Sequence, residues 1–387
     1  MKTFFSRRDV VVTAVVTCLA STWLGCATAD PLVDDLDTIR LAHGVPALGV
    51  YGAVAGQEPT SVVVGFRKLG DQTPATPADE FHFGSAGKAM TATLAALFVE
   101  KGQLRWDSTL GELLPDLTRL NPRYRGVTLE MLLAHHGGVT GDLTHFGDGT
   151  LWKSLWRPGL AATDGRRMLL EGVLALEPAY EPGSKFVYSN AGMVIVGTIL
   201  ERIAGKPYEE LLRERLWAPL GMQGCGFGAA GDATAVHPDQ PWAHRHTDAG
   251  PVPVPPGPDA DNPAPMSPAG RMRCTMADWA RFLRLHSDGF NGLPTPILSP
   301  ASFAKLHAPY PGGEDTYGAW VRMEGREWAH GPVFGYEGDN TLNHALVLFA
   351  PKIGTIFIAV TNYGDDEGGL ACHAAALALK SRVLQHP

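Results

Sequence analysis

Cysteine is scarce in this chain: five residues among 387, at Cys18, Cys26, Cys225, Cys274 and Cys372. The spacing fits no zinc motif, and with two of the five in the first 26 residues at least one of the remainder must be unpaired. A disulfide framework is not expected, and isolated buried thiols are. Basic clusters are also lacking. Lys and Arg number 32 against 40 Asp and Glu, for a formal net charge of -8. Phosphate affinity needs clustered cations, so no nucleic-acid partner is expected. His135-His136 and His244-Arg245-His246 lack the spacing of metal ligands and read as core or surface histidines, with no metal and no organic cofactor implied. Gly205-Lys206 runs into Pro207, which excludes a phosphate loop there. No internal repeat is present.

Long apolar runs are absent apart from Val10 to Leu24, which is short for a membrane span. Lys2, Arg7 and Arg8 precede it and Ala27-Thr28-Ala29 follows, so residues 1–29 read as an export signal ending before Asp30. Ser6-Arg7-Arg8-Asp9-Val10-Val11 resembles a twin-arginine signal imperfectly, with Val10 where Phe is usual. Leu24-Gly25-Cys26 resembles the end of a lipoprotein cleavage box, although Trp23 fits it poorly. The expected location is periplasmic or secreted. The only membrane contact foreseen is the signal itself or a lipid on Cys26.

What is present organises the mature chain into strands at both ends and helices between. Ala47 to Val54 and Ser61 to Arg67 suit strands around a turn near Gly56. Ser85 to Lys101 predicts a helix with Met90, Leu94, Leu97 and Phe98 on one stripe. Shorter helices are predicted at 128–135, at 191–204 and from Pro207 to Leu216. Eight prolines in Pro251 to Pro268 predict an extended surface segment. A helix from Thr275 to His286 precedes candidate strands at 317–323, 333–338, 343–349 and 355–361, then a helix at 370–384. The simplest topology is α/β: one antiparallel sheet pairs the two ends, helices flank it, and a mainly helical lobe is inserted. The boundaries read as 30–103 and 266–387 for the α/β lobe and 104–265 for the insertion, with the site in the groove between them.

Two short patterns carry the chemistry. Ser85-Ala86-Gly87-Lys88 puts a hydroxyl and an amine three positions apart, on one face of a helix. Tyr188-Ser189-Asn190 offers a phenol and a carboxamide. Serine is a weak nucleophile until a base takes its proton. Lys88 can serve only while uncharged, which requires burial or a neighbouring cation. Tyr188 can share the proton, and Asn190 can hydrogen-bond both partners. A helix N-terminus at Ser85 favours a developing oxyanion. Taken alone, Ser85 and Lys88 would be a helix-end serine and a solvated lysine, Tyr188 a packing aromatic and Asn190 an N-cap. The nucleophile elbow of α/β-hydrolases needs Gly two before the serine, where Phe83 stands.

At these residues the chain resembles the serine β-lactamase and penicillin-binding-protein superfamily, in the β-lactamase-related branch of class C β-lactamases, D-amino-acid peptidases and esterases. The resemblance runs through Phe83 to Lys88, Thr128 to His135, Tyr188 to Gly192, Pro219 to Met222, Pro268-Ala269-Gly270 and Asp278 to Phe282. It implies the serine β-lactamase/DD-peptidase-like fold, Ser85 as the acylated nucleophile, and Lys88 with Tyr188 as its base pair. The third family motif, Lys-Thr-Gly or His-x-Gly, falls on Gly335-Tyr336-Glu337-Gly338-Asp339-Asn340. Tyr336 therefore stands where a cation is expected, as a site-lining or an ordinary strand residue. The resemblance assigns the N–H of Asp339 to an oxyanion hole. Glu337 and Asp339 place two negative charges nearby, and a cation from His330 or Arg271 is a conceivable replacement. The expected function is an exported serine hydrolase that acts through an acyl-enzyme on a small ester, amide or peptide, with carboxylate-bearing β-lactams disfavoured. The alternative is a non-catalytic relative that binds a peptidoglycan-like or peptide ligand in the same groove.

Overall fold

The computed structural model describes residues 30–311 and 315–385; the leader pattern, Cys18 and Cys26 lie outside the described residues. Asp30 caps α1 (Pro31–Ala42) by accepting the Leu32 N–H at 3.1 Å, with Pro31 at the first helical position. β1 (Ala47–Ala53) and β2 (Thr60–Gly65) form the first hairpin. A short β3 (Phe81–His82) leads to a 3-10 turn, Gly84–Gly87, and then to α2 (Lys88–Glu100). The helix predicted from Ser85 is thus two pieces. Gly84 enters the turn at φ +48°, a conformation open to glycine, and the tight turn sets Ser85 apart from the helix proper. α2 is buried almost all round rather than along one stripe, as suits a helix at the centre of the molecule.

Helices follow: α3 (Leu110–Leu113), α4 (Leu129–Leu133), α5 (Thr150–Leu155), α6 (Ala162–Leu174), α7 (Asn190–Ala204) and α8 (Tyr208–Leu212). Then come β4 (Cys225–Phe227), β5 (Ala243–Arg245), β6 (Val252–Val254), α9 (Ser267–Gly270) and β7 (Met272–Cys274). β3, β7 and β4 make a three-stranded sheet, and β5 pairs with β6. The proline-rich stretch departs from its reading as surface. β6 lies within it, and nearly every residue from Ala260 to Gly270 is buried. Proline dictates an extended path but says nothing about what covers it.

α10 (Met276–Phe290) and α11 (Pro300–His307) precede β8 (Val321–Met323), β9 (Val333–Asp339), β10 (His344–Ala350), β11 (Thr355–Thr361) and α12 (Asp365–Gln385). β8 is shorter than predicted because Thr316 to Trp320 form a hydrogen-bonded turn with Ala319 at positive φ. The six-stranded sheet runs β2-β1-β11-β10-β9-β8, antiparallel throughout, with Val50 opposite Ala359 where the two ends of the chain meet. Strand alternation assigns the faces. Leu48, Val50, Phe357 and Ala359 pack with Leu36 of α1 and Ala375 and Leu379 of α12. Val347, Phe349, Ile358 and Val360 join the larger core with α2 and α10.

Cys225 and Cys274 are disulfide-bonded across neighbouring strands β4 and β7, while Cys372 is a free buried thiol. This corrects the expectation of isolated thiols: 49 residues separate the pair in sequence, and only strand pairing juxtaposes them. The helical region is tied by Arg166, fully buried on α6. Its guanidinium donates to Glu201 of α7 at 2.6 and 3.1 Å and to Glu209 of α8 at 2.8 and 2.9 Å. Arg166→Met would strand two carboxylates in the interior. We expect a loss of about 3–5 kcal/mol in urea unfolding, the scale for breaking a buried ion pair. A loss under about 1 kcal/mol would mean that solvent relieves the pair.

Candidate active site

Three elements converge on Ser85: the 3-10 turn ahead of α2, the segment entering α7, and β9. Lys88, the first residue of α2, is fully buried, and its Nζ lies 2.9 Å from Ser85 Oγ. The same amine donates to the Ala269 carbonyl on α9 and lies 4.7 Å from the centre of the Tyr188 ring. The Tyr188 hydroxyl is 2.6 Å from Ser85 Oγ. The alcohol, amine and phenol therefore meet, although 103 residues separate Tyr188 from Ser85. Burial pulls the Lys88 amine below the usual lysine range, while contact with Tyr188 opposes the shift. A buried amine in that state has a lone pair available for a proton.

Ser189, not Asn190, caps α7. Its Oγ accepts the Gly192 N–H at 3.1 Å and donates to the Thr140 carbonyl at 2.6 Å. Asn190 is the first residue of the helix, one position past Ser189, and takes no part in the Ser85–Lys88–Tyr188 contacts. Its expected bridging role is not what the structure shows. The extended backbone that an N-cap requires belongs to Ser189, so the capping expected of Asn190 falls one residue earlier.

β9 brings the third motif alongside. Tyr336 is partly buried, its phenol hydrogen-bonded to that of Tyr188; burial and that neighbour raise its pKa well above the usual tyrosine value. Tyr336 thus lines the site. Gly338 is pressed against the turn that carries Ser85, since a Cβ there would fall 1.9 Å from the Phe83 carbonyl oxygen. The Asp339 backbone nitrogen also lies against this turn, because a Cβ on Gly84 would fall 2.7 Å from it.

The side chains of Glu337 and Asp339 are another matter. They alternate with Tyr336 and Gly338 and so leave the sheet on its opposite face. Glu337 bonds His373 of α12 at 2.8 Å and lies 3.6 Å from His344, and Asp339 lies 3.5 Å from His344. Burial opposes the charge on His344, but the two carboxylates outweigh it and raise the imidazole to about 9; burial also opposes ionisation of Glu337, but hydrogen bonds to His344 and His373 bring it down to about 2. The two negative charges expected close to Tyr336 are therefore turned away from it: two histidines engage them behind the strand. The proposed replacement cations are elsewhere. Arg271 is committed to Asp261, with Nε 3.5 Å from Oδ2, and His330 is exposed after a short turn. Asp315, by contrast, is close enough to Tyr336 for its charge to raise that phenol further.

Sequence reasoning missed His135. It is buried at φ +61°, with its ring 4.8 Å from that of Tyr188 and its Nδ1 accepting the Ser189 N–H at 3.1 Å. Burial and the nearby Lys88 hold it neutral, down to about 3. It buttresses the segment that presents Tyr188. The only hint was its place in Thr128 to His135, which does not disclose what the ring touches. Among the described residues no group of three or more potential ligands could hold a metal.

The chain is similar over 348 residues, at 28% identity, to penicillin-binding protein 4 of Amycolatopsis lactamdurans, covering 85% of this chain and 84% of that protein. It is 28% identical over 173 residues to the lovastatin esterase of Penicillium rubens, covering 41% and 42% respectively. Its fold matches the crystal structure of D-amino acid amidase from Ochrobactrum anthropi SV3 with a TM-score of 0.68 at 21% identity, over 92% of this chain and all of that one. The Beta-lactamase family model matches residues 28–380, and the chain belongs to that family.

Proposed function

We propose that the protein is an exported serine hydrolase that works through an acyl-enzyme on small esters, amides or peptides, as an esterase or D-amino-acid peptidase rather than a β-lactamase. The observation that carries this is the contact of Ser85 Oγ with both Lys88 Nζ and Tyr188 Oη. As Oγ attacks the carbonyl carbon, its proton passes to the Lys88–Tyr188 pair. The carbonyl oxygen takes the negative charge and is held by the N–H groups of Ser85 and Asp339. Collapse expels the leaving group, which takes the proton from the pair. Water then loses a proton to the same pair, attacks the acyl carbon and releases the acid, restoring Ser85. The unbridged carboxamide of Asn190 can hold the substrate beside this centre.

Relatives named as an esterase and as a penicillin-binding protein support ester and amide chemistry. The Cys225–Cys274 bridge supports export, since disulfides persist in oxidising compartments. Tyr336 in place of a cation, with Asp315 near it, supports neutral or amine-bearing substrates over carboxylates.

A fluorophosphonate probe tests the reading. We expect stable labelling of Ser85, abolished in Ser85→Ala. Absence of labelling at every pH would favour a ligand-binding protein instead. A panel of p-nitrophenyl esters, D-amino-acid amides and nitrocefin tests the substrate class. Nitrocefin turnover is expected to fall well below the ordinary enzyme range of about 10⁴ M⁻¹s⁻¹ in kcat/KM, and turnover within that range would refute the disfavoured β-lactam.

A further inference from the structure

A buried polar chain lies under the junction of the nucleophile turn and β9, built from residues to which the preceding chemistry assigns no role. His82 on β3 accepts the Gly84 N–H at Nδ1, 3.0 Å away. That nitrogen therefore carries no hydrogen, so the other, Nε2, bears one. Nε2 lies 2.9 Å from Asp261 Oδ2 and donates to it. Asp261 Oδ1 accepts from the Asn340 carboxamide at 3.1 Å and from the Asn262 N–H at 2.7 Å. Arg271 Nε, 3.5 Å from Oδ2, supplies the countercharge. Asn340 in turn closes the turn between β9 and β10, with its Oδ1 accepting the Leu342 and Asn343 N–H groups at 3.2 and 2.9 Å. His82, Asp261 and Asn340 are all buried. The carboxylate is held ionised: burial opposes this, but His82, Arg271 and Asn340 together outweigh it.

The position of the two ends matters. Gly84 immediately precedes Ser85, and Asn340 immediately follows Asp339. The two backbone N–H groups assigned to the oxyanion thus belong to residues whose chain neighbours are both tied to one interior carboxylate. We propose that Asp261, through His82 on one side and Asn340 on the other, is a positioning residue that sets the spacing of the Ser85 and Asp339 oxyanion donors. The inference rests on the acyl-enzyme reading above and extends it to the interior of the protein. The chemistry favours a carboxylate at the centre. Both of its oxygens can accept, one from each partner, whereas an amide can accept only at its oxygen and presents N–H donors at its other terminal atom. In Asp261→Asn, either the Asn340 link is lost or the new N–H faces His82 Nε2. The second case forces the ring to the other tautomer, whose Nδ1–H would oppose the Gly84 N–H.

The test compares wild type with Asp261→Asn on a p-nitrophenyl ester and on a boronic acid, whose tetrahedral adduct with Ser85 mimics the transition state. We expect kcat to fall about 10- to 100-fold, somewhat less than loss of a whole oxyanion donor. KM should stay within about twofold, and boronate affinity should fall in parallel with kcat. Should Asp261→Asn fold poorly, His82→Asn and His82→Leu provide a second comparison. The Asn carboxamide oxygen can still accept the Gly84 N–H and should retain at least about tenfold more kcat than Leu. An active wild type with unchanged kcat and boronate affinity in Asp261→Asn, or equal kcat in the two His82 variants, would overturn the positioning role alone. A wild type that neither labels nor hydrolyses would overturn the acyl-enzyme reading and this inference with it.

Discussion

Lys88→Met is expected to lower kcat/KM for a p-nitrophenyl ester by about 10³-fold, within the range for a positioned general base. Met matches the length of the lysine stem and fills the same enclosed space without a charge to desolvate. Folding should be largely preserved, the main cost being the donor lost to the Ala269 carbonyl, about 1 kcal/mol. The phenol of Tyr188 would remain at Ser85 Oγ, so some activity should survive. The sign of the pH dependence follows from the buried amine. Only the uncharged form accepts a proton, so wild-type kcat/KM should climb as pH rises through the lowered Lys88 pKa. The midpoint should fall below 10.5, the value of an unperturbed lysine. Lys88→Met should lack this rising limb. A variant with wild-type rates and an unaltered profile would remove Lys88 from the chemistry.

Gly338→Ala should be nearly as damaging for a purely geometric reason. The added methyl would lie 1.9 Å from the Phe83 carbonyl oxygen and 2.9 Å from the Ala86 nitrogen, both backbone atoms of the turn that carries Ser85. No flexible side chain can give way there, so β9 and the turn must part. Overpacking of this kind costs about 1–3 kcal/mol of stability. The catalytic penalty should be larger, since displacing an oxyanion donor removes about 10²-fold or more from kcat. Steady-state kinetics beside a denaturation curve separates the two effects. Activity within twofold of wild type would show that β9 does not have to touch the turn.

Much of the architecture was readable from the chain because it rests on local patterns. Strands β10 and β11 announce themselves by apolar runs between turn residues, and β1 by its Val and Gly content. The short strands β3, β4 and β7 were not readable: two or three residues carry no periodicity, and they exist only because they pair. The Cys225–Cys274 bridge was missed for that reason. Ser85, Lys88 and Tyr188 stood out by residue type and spacing, and Tyr336 by standing where the family carries a cation. His135, His82 and Asp261 did not, because a histidine or an aspartate in an irregular segment looks the same whether it is buried or wet.

Sequence alone determined which groups are on offer: a hydroxyl and an amine one helical turn apart, a distant phenol, and strands at both ends able to share a sheet. Those are properties of neighbours along the chain. Only the tertiary structure decided which face of β9 each side chain takes, sending Glu337 and Asp339 to His344 and leaving Tyr336 beside Tyr188. It also decided that Lys88 is enclosed, and so that its amine can lose its charge. Burial and pairing arise from segments far apart in the chain, and no local pattern encodes them.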